Sequence, residues 1–213
     1  MKSPIMSALT AIAVAAISQL SFAATAISQT PTARATDIQL GEPGYGGTGC
    51  PAGTASVSLS PDQKTLSILF DQYVVEAGGE TGKVLDRKSC NIAIPVKVPH
   101  GYSISLIKVD YRGFNYLPRL AQSTFNVEYF FAGQRGPTGI RSFRGPVQDN
   151  YLITNNLVAE ALVWSACGAN TNLRVNSSMM VRTNAAREQA LSTVDSADVN
   201  AGIVYHIQWR RCS

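Results

Sequence analysis

The fold class is decided by residues 54–70, which read TASVSLSPDQKTLSILF. Val57 and Leu59 alternate with serines, and apolar residues recur at positions 66, 68 and 70. An apolar residue at every second position is typical of a half-buried strand. The Pro-Asp-Gln-Lys segment between the two runs is a turn signal. The stretch therefore predicts a β-hairpin.

The same alternation continues outward from the hairpin and predicts further strands at residues 90–98, 102–109, 123–131, 173–181 and 202–209. Residues 157–164 are apolar apart from Glu160 and fit either a strand or a helix, and their neighbours favour a strand. Pro95 lacks an amide hydrogen, which indicates an edge strand or a bulge there. Residues 185–192 are the one stretch that predicts a short helix. Short strands with turns between them, and no alternation with helices, predict an all-β fold. We expect an antiparallel two-sheet sandwich, jelly-roll or Ig-like, with roughly nine to eleven strands.

The first residues read as an export signal. Lys2 precedes an uncharged apolar run over residues 5–20, and Ser21-Phe22-Ala23 fits a signal-peptidase site. The alternative, a membrane anchor, would need roughly 20 apolar residues. We predict a signal peptide at 1–23, a flexible leader at 24–37 and a single domain at 38–213. The protein is then secreted, extracellular or periplasmic, with no membrane span after cleavage.

The cysteines are Cys50, Cys90, Cys167 and Cys212. An even number in an exported protein indicates disulfides, and four cysteines allow three pairings. We favour Cys50–Cys90 with Cys167–Cys212, because each bond then joins sequence neighbours and ties one half of the domain. The alternative, a zinc site, lacks the Cys-x-x-Cys or His-x-x-x-His spacing. We predict no metal and no cofactor.

Only 15% of the residues are charged, and the formal net charge is +4. An average domain has about 25% charged residues. Ser, Thr, Asn and Gln replace charge on the outward strand positions. The low net charge argues against a nucleic-acid partner. We interpret Arg135, Arg141 and Arg144 as a solvated loop and the glycine-rich residues 44–49 as a flexible loop, because no helix follows to form a phosphate site.

A candidate ligand surface lies at residues 111–116, where Tyr111, Arg112, Phe114 and Tyr116 occur together. Flat aromatic rings beside polar groups can hold sugars, because the ring stacks on the apolar face of the sugar while polar groups bind its hydroxyls. The surface therefore indicates a glycan partner. The alternative is a strand end whose aromatics close the rim of the core. The sequence gives no oligomeric state.

Catalytic motifs are scarce, and the catalytic residues stay unknown. A Ser-His-acid triad has only His100 and His206 to draw on, and we expect both to be idle. Paired carboxylates could hydrolyse a glycoside, and Glu128 and Glu160 are the more notable candidates because each interrupts an apolar run. The favoured alternative is that each is an outward residue of an alternating strand or is paired with an arginine, and the sequence does not pair the carboxylates with each other. The sequence Asn176-Ser177-Ser178 is an N-glycosylation acceptor in a eukaryotic host. Whether the protein is an enzyme stays open, leaning towards no.

An ordered set of motifs resembles a family of small secreted fungal and bacterial proteins catalogued as a domain of unknown function, number four-three-six-zero. The matching motifs lie at residues 47–54, 70–71, 87–91, 99–102, 111–114, 164–168 and 208–212. The resemblance covers about residues 38–213. It implies secretion and the cysteine framework, but it brings no catalytic residues.

These observations favour a secreted β-sandwich that acts as a binding or surface-associated module, with glycan as the ligand. The first alternative is a structural or protein-interaction domain. A less favoured alternative is an extracellular polysaccharide hydrolase or lyase.

Overall fold

A computed structural model of the chain describes residues 39–61, 65–157, 164–194 and 203–212. The described residues form thirteen strands. Their bounds are Gln39–Leu40 (β1), Gly44–Gly46 (β2), Ala55–Leu59 (β3), Thr65–Phe70 (β4), Val74–Ala77 (β5), Leu85–Lys97 (β6), Tyr102–Leu117 (β7), Gln122–Phe131 (β8), Thr138–Arg144 (β9), Val147–Asn156 (β10), Thr171–Arg182 (β11), Ala190–Thr193 (β12) and Ile203–Arg211 (β13). The predicted signal peptide and leader lie outside the described residues.

The strands form two antiparallel sheets. The first sheet has the order β1-β6-β11-β8-β9, and β2 also pairs with β6. The second has the order β3-β4-β13-β7-β12-β5, and β10 pairs with the other edge of β7. The predicted hairpin is β3–β4, with Val57 opposite Ile68. The all-β, two-sheet antiparallel prediction is therefore confirmed.

The core lies between the sheets because the central strands of the first sheet alternate strictly. In β6, the buried positions are Cys90, Ile92, Ile94 and Val96, and the same parity rule places Phe125, Val127, Tyr129 and Phe131 inward in β8. Successive strand side chains point to opposite faces of a sheet. The polar residues between these positions therefore lie on the outer face.

An aromatic group ties the two sheets together. Tyr111 of β7 is fully buried, and its ring centroid lies 4.7 Å from that of Phe125 in β8. The Tyr111 and Tyr129 hydroxyls form a hydrogen bond at 2.5 Å, and Asn155 Nδ2 donates to the Tyr129 hydroxyl at 2.8 Å. Contacts between strands of different sheets thus include both ring packing and hydrogen bonding.

Strand β7 runs well beyond the predicted end at residue 109. Its register with β13 shifts between His206 and Ile207, so that Lys108 and Leu106 face consecutive β13 residues and Ile107 is the extra residue. An extra residue changes which parity faces the core. The buried set accordingly changes from Ile104 and Leu106 to Val109 and Tyr111.

Both predicted disulfides are present. Cys50 bonds Cys90, with Cα atoms 5.3 Å apart, and Cys167 bonds Cys212, with Cα atoms 6.2 Å apart. The first bond is completely buried, whereas Cys167 is exposed and Cys212 is half-buried. The chain-entropy model assigns about 3–4 kcal/mol to a disulfide that closes a loop of this length.

Pro95 lies where one edge of β6 changes partner. The Gly41 amide donates to the Pro95 carbonyl at 2.7 Å, β1 pairs with residues 96 and 97, and β2 pairs with residues 91–93. The N–H and C=O of one strand residue point to the same side, so the missing amide hydrogen faces the break between β1 and β2. The proline thus occupies a position that no ladder hydrogen bond requires.

Three local predictions are wrong. Residues 185–192 form no helix, because the stretch is a turn and loop that leads into strand β12. Arg141 and Arg144 lie on strand β9 rather than in a loop. The glycine-rich segment contains β2, and Gly49 is packed so closely that a Cβ there would lie 2.6 Å from the Tyr73 ring. Residues 158–163 of the predicted strand at 157–164 lie outside the described residues.

Candidate functional site

The structure divides the predicted ligand surface. Tyr111 is fully buried and faces the core, so it does not belong to any surface. Arg112, Phe114 and Tyr116 have the opposite parity and lie on the outer face of β7. These three residues are called the aromatic strip below. The period-two rule gives this division only when it is counted from Val109, and that starting point depends on the extra residue at Ile107, which the sequence pattern does not reveal.

The aromatic strip faces polar and apolar neighbours on β10. Arg112, Phe114 and Tyr116 pair with Leu152, Asn150 and Gln148 respectively. Tyr116 is 40% exposed and Leu152 is 59% exposed, whereas Phe114 is half-buried. The strip is therefore a partly exposed stacking surface with an amide-bearing border.

A second candidate site is an open depression of about 500 Å³ on the outer face of the first sheet. It is built from β6, β11, β8 and β9, which lie side by side in that order. We call it the polar depression, and its outward lining residues are Arg87, Ser89, Asn91, Asn126, Glu128, Thr138, Ile140, Asn176 and Ser178.

Strand register aligns these side chains in rows across the sheet. In one row, Asn176 of β11 pairs with Asn91 of β6 on one side and with Glu128 of β8 on the other. In the next row, Ser178 pairs with Ser89 and with Asn126. Residues directly opposite on one face have Cβ atoms about 4.5–5.5 Å apart. The rows therefore present a continuous polar surface.

The polar side chains on the outward lining of the depression have no hydrogen-bond partner among the described residues. Five of them are Asn91, Asn126, Asn176, Ser178 and Glu128, and neither ion pair of the described chain includes Glu128. Ser178 is only 6% exposed. A buried hydroxyl normally has a partner, because an unmade hydrogen bond is costly. The arrangement leaves amide and hydroxyl groups available to a molecule that enters the depression.

The chemistry of this lining is mainly neutral. Three carboxamides offer two donors and one acceptor oxygen each, and the serine hydroxyls can donate or accept. Arg87 and Glu128 contribute one charge of each sign. A ligand rich in hydroxyl groups can satisfy donors and acceptors of both kinds, whereas a highly charged ligand would find only one counter-charge.

The sequence reasoning did not find the polar depression as a site. It singled out Glu128 as a candidate carboxylate and Asn176 as a glycosylation acceptor, but it did not join them. Each residue lies at an outward position of an alternating strand, which is a visible signal. The neighbour relation of β6, β11 and β8 is not visible, because these strands are not consecutive along the chain.

The predicted catalytic candidates are not brought together in the part of the chain that is described. Glu128 is the one carboxylate that lines the polar depression within the described ranges, and Glu160 lies outside them. His100 is exposed in the turn before β7. The side chain of His206 lies outside the description. Within residues 39–61, 65–157, 164–194 and 203–212, no cluster of three His, Cys, Asp or Glu is placed to hold a metal.

No helix among the described residues is both long enough and apolar enough to cross a membrane.

The fold and the depression define a disulfide-bonded β-sandwich with a polar outer face. The chain belongs to the family described as Domain of unknown function (DUF4360), whose model matches residues 36–212. The chain is also 34% identical over 170 residues to an "Uncharacterized secreted protein" of Arthroderma benhamiae, a match that covers 79% of this chain and 69% of the relative. The resemblance drawn from the motifs is thereby confirmed.

Proposed function

We propose that this protein is secreted and binds a neutral, hydroxyl-rich polysaccharide in the polar depression. The observation that carries the proposal is the set of polar side chains, Asn91, Asn126, Asn176, Ser178 and Glu128 among them, that line the depression without hydrogen-bond partners among the described residues. Export is supported by the signal-like residues 1–23, by the two disulfides, which persist in oxidising compartments, and by the relative named as a secreted protein.

Binding in the depression follows from ordinary hydrogen-bond energetics. A net hydrogen bond contributes about 0.5–1.5 kcal/mol, so an array of five groups supports binding of a repeating chain even when each bond is weak. Ile140, 72% exposed at the edge of the depression, adds apolar surface for the C–H face of a sugar.

The test is binding of the protein to insoluble chitin, β-glucan and mannan, followed by titration of soluble fragments of the polysaccharide that is bound. The protein should be produced in a host without N-glycosylation, because a glycan on Asn176 would fill the depression. We expect the double variant N126A/N176A to weaken binding about tenfold or more, since it removes two hydrogen-bonding groups. It should still fold, because neither side chain has a hydrogen-bond partner among the described residues.

The matched control is Asn156→Ala, an exposed asparagine of β10 in the second sheet. This change should leave binding at the wild-type level. Failure to bind any of the three polysaccharides, or wild-type binding by N126A/N176A, would contradict the proposal.

The aromatic strip is a second candidate location for the same ligand. Its support is the exposed Tyr116 ring beside the Asn150 and Gln148 amides of β10. The variant Tyr116→Ala should abolish stacking there without affecting the depression. A loss of polysaccharide binding in this variant alone would move the site to the aromatic strip.

A protein-interaction role is the second candidate function. The observation that favours it is the exposure of Leu152 next to the same strip. Binding of a protein partner that survives Tyr116→Ala and N126A/N176A, yet is lost in Leu152→Asp, would support that role.

A further inference from the structure

A small polar cavity lies at the end of the second sheet, away from the polar depression. Its volume is about 360 Å³, and its lining residues are Ser103, Ser165, Cys167, Arg210, Arg211 and Cys212. Here β7 begins and β13 ends, with Ser103 opposite Arg210. The Cys167–Cys212 disulfide forms part of the cavity wall. The cavity walls are thus fixed by a strand pair and a covalent bond.

Two arginines give this cavity a positive charge. The ion pairs of the described residues are Lys83–Asp86 and Lys108–Asp110, so neither Arg210 nor Arg211 meets a carboxylate there. The Arg210 guanidinium lies over the Trp164 ring, 4.0 Å from its centroid, and Arg211 Nε donates to the Tyr102 hydroxyl at 3.3 Å. The strand register places Arg210 on the same face of the sheet as Ser103, whereas Arg211 lies on the opposite face beside Tyr102. The stacking contact of Arg210 uses none of its five N–H donors, so they are available to a ligand beside Ser103.

The two serines of the cavity differ in the hydrogen bonds that their hydroxyl groups make. Ser165 Oγ accepts from the Ile104 amide at 3.0 Å and donates to the Ala166 carbonyl at 3.2 Å. Ser103 is only 4% exposed, yet its hydroxyl has no hydrogen-bond partner among the described residues. A hydroxyl buried without a partner is unfavourable, because the hydrogen bonds it made with water are lost and not replaced. Ser103 therefore has a donor that a ligand in the cavity would satisfy.

We propose that this cavity binds an oxyanion, namely a sulfate, phosphate or carboxylate group, held by the Arg210 guanidinium group and the Ser103 hydroxyl, which lie opposite each other on one face of the sheet. Guanidinium groups suit such ligands because their fork of donors matches two oxygens of the anion. The unpartnered hydroxyl donates to a further oxygen. The cavity is a site for the anionic group of a small solute or of an acidic polysaccharide. Binding of an anion in this cavity does not depend on the function proposed for the polar depression, because the depression lies on the other sheet.

The test is calorimetric titration of the oxidised protein with sodium sulfate, sodium phosphate and galacturonate oligomers at low ionic strength. Saturable binding of sulfate or phosphate alone indicates a small solute, whereas preference for the oligomers indicates an acidic polysaccharide. We expect Arg210→Gln to weaken binding about tenfold or more, since it removes the charged donors beside Ser103. Arg210→Lys, which keeps the charge, should recover part of the loss.

The variant Ser103→Ala keeps the test decisive if an arginine variant folds poorly. It removes a hydroxyl that has no partner, so the melting temperature should not fall, while affinity for the anion should drop about threefold to tenfold. Arg182→Gln, an exposed arginine on β11, is the matched charge control and should bind like the wild type. Absence of saturable binding of every anion, or undiminished affinity in Ser103→Ala, would overturn the proposal.

Discussion

The Tyr111 hydroxyl belongs to a buried hydrogen-bonded group that spans the two sheets. It bonds to the Tyr129 hydroxyl, which in turn accepts from Asn155. Because Tyr111 lies in the core, its effect should be on the free energy of unfolding rather than on ligand binding.

We therefore expect Tyr111→Phe to destabilise the protein by about 1 kcal/mol, the net value of one buried hydrogen bond. Polysaccharide binding should be unchanged. Urea denaturation measures the first quantity, and a binding titration measures the second. Tyr116→Phe is the control, since an exposed hydroxyl should shift stability by less than about 0.5 kcal/mol. Equal stability of Tyr111→Phe and wild type would contradict this assignment.

The Asp86 carboxylate makes the free energy of unfolding depend on pH in the acid range. Burial acts to raise the pKa of Asp86, but the hydrogen bond from the Glu76 amide and the contact with Lys83 outweigh it, so the pKa lies below its ordinary value. A carboxyl whose pKa is lower when folded stabilises the protein above its unfolded pKa of about 3.9. That contribution is lost as the pH falls through the folded pKa.

The variant Asp86→Asn should therefore be less stable than the wild type near pH 7, and the difference should close below about pH 4. Thermal unfolding from pH 7 down to pH 3 measures it. Asp71→Asn, an exposed carboxylate, is the control. A difference that stays constant over this range would show that the charge of Asp86 is not responsible.

At the scale of elements, Gly113 of β7 allows the Tyr151 side chain of β10 to cross over β7 and reach β12. Tyr151 of β10 pairs with Gly113, and its hydroxyl donates to the Thr193 carbonyl at 2.5 Å. A Cβ on Gly113 would lie 2.5 Å from the Tyr151 hydroxyl oxygen and would also overlap the Thr193 carbonyl oxygen. The Tyr151 ring therefore occupies the space that another residue would need.

Gly113→Ala should displace Tyr151 and destabilise the protein by about 1–3 kcal/mol, the usual cost of overpacking. Gly44→Ala on β2 is a matched control, because a Cβ there meets nothing within 4 Å. Denaturation midpoints of the two variants measure the difference. Similar midpoints would mean that Tyr151 moves aside freely.

The sequence predicts elements well where one face of a strand is buried. The β3–β4 hairpin and the buried parity of β6, β8 and β11 follow from alternation alone. The extra residue at Ile107 is not visible in the pattern, and it places Tyr111 inside where a surface was expected. Residues 185–192 have helical propensity, but pairing of β12 with β5 and β7 overrides it.

At the scale of the whole molecule, the two disulfides differ in access. Cys50 and Cys90 are completely buried, whereas Cys167 is exposed. Reduction proceeds by attack of a thiolate on a disulfide sulfur, so it needs access to that sulfur. The pairing was predictable from the order of the cysteines along the chain, but the difference in burial was not, because it depends on how the sheets cover each bond.

We expect mild reduction of the native protein to open Cys167–Cys212 before Cys50–Cys90. Alkylation followed by peptide mapping would identify the thiols that are released. The unfolded protein is the control, since both bonds should then be reduced at similar rates. Release of Cys50 and Cys90 first would contradict the described burial.

The polar depression is also a property of the whole molecule, because its lining comes from four strands that are far apart in sequence. Its outward residues were predictable as polar strand positions. Their convergence was not, since it depends on the strand order β6-β11-β8-β9.

The most direct test is an NMR titration of the isotope-labelled protein with soluble neutral oligosaccharides from the polysaccharide that it binds. The account predicts that the side-chain amide signals of Asn91, Asn126 and Asn176 shift together and saturate with one affinity. The backbone signals of Arg112, Phe114 and Tyr116 should not move. Shifts confined to these three residues, or no saturable shift with chitin, β-glucan or mannan fragments, would contradict the central claim.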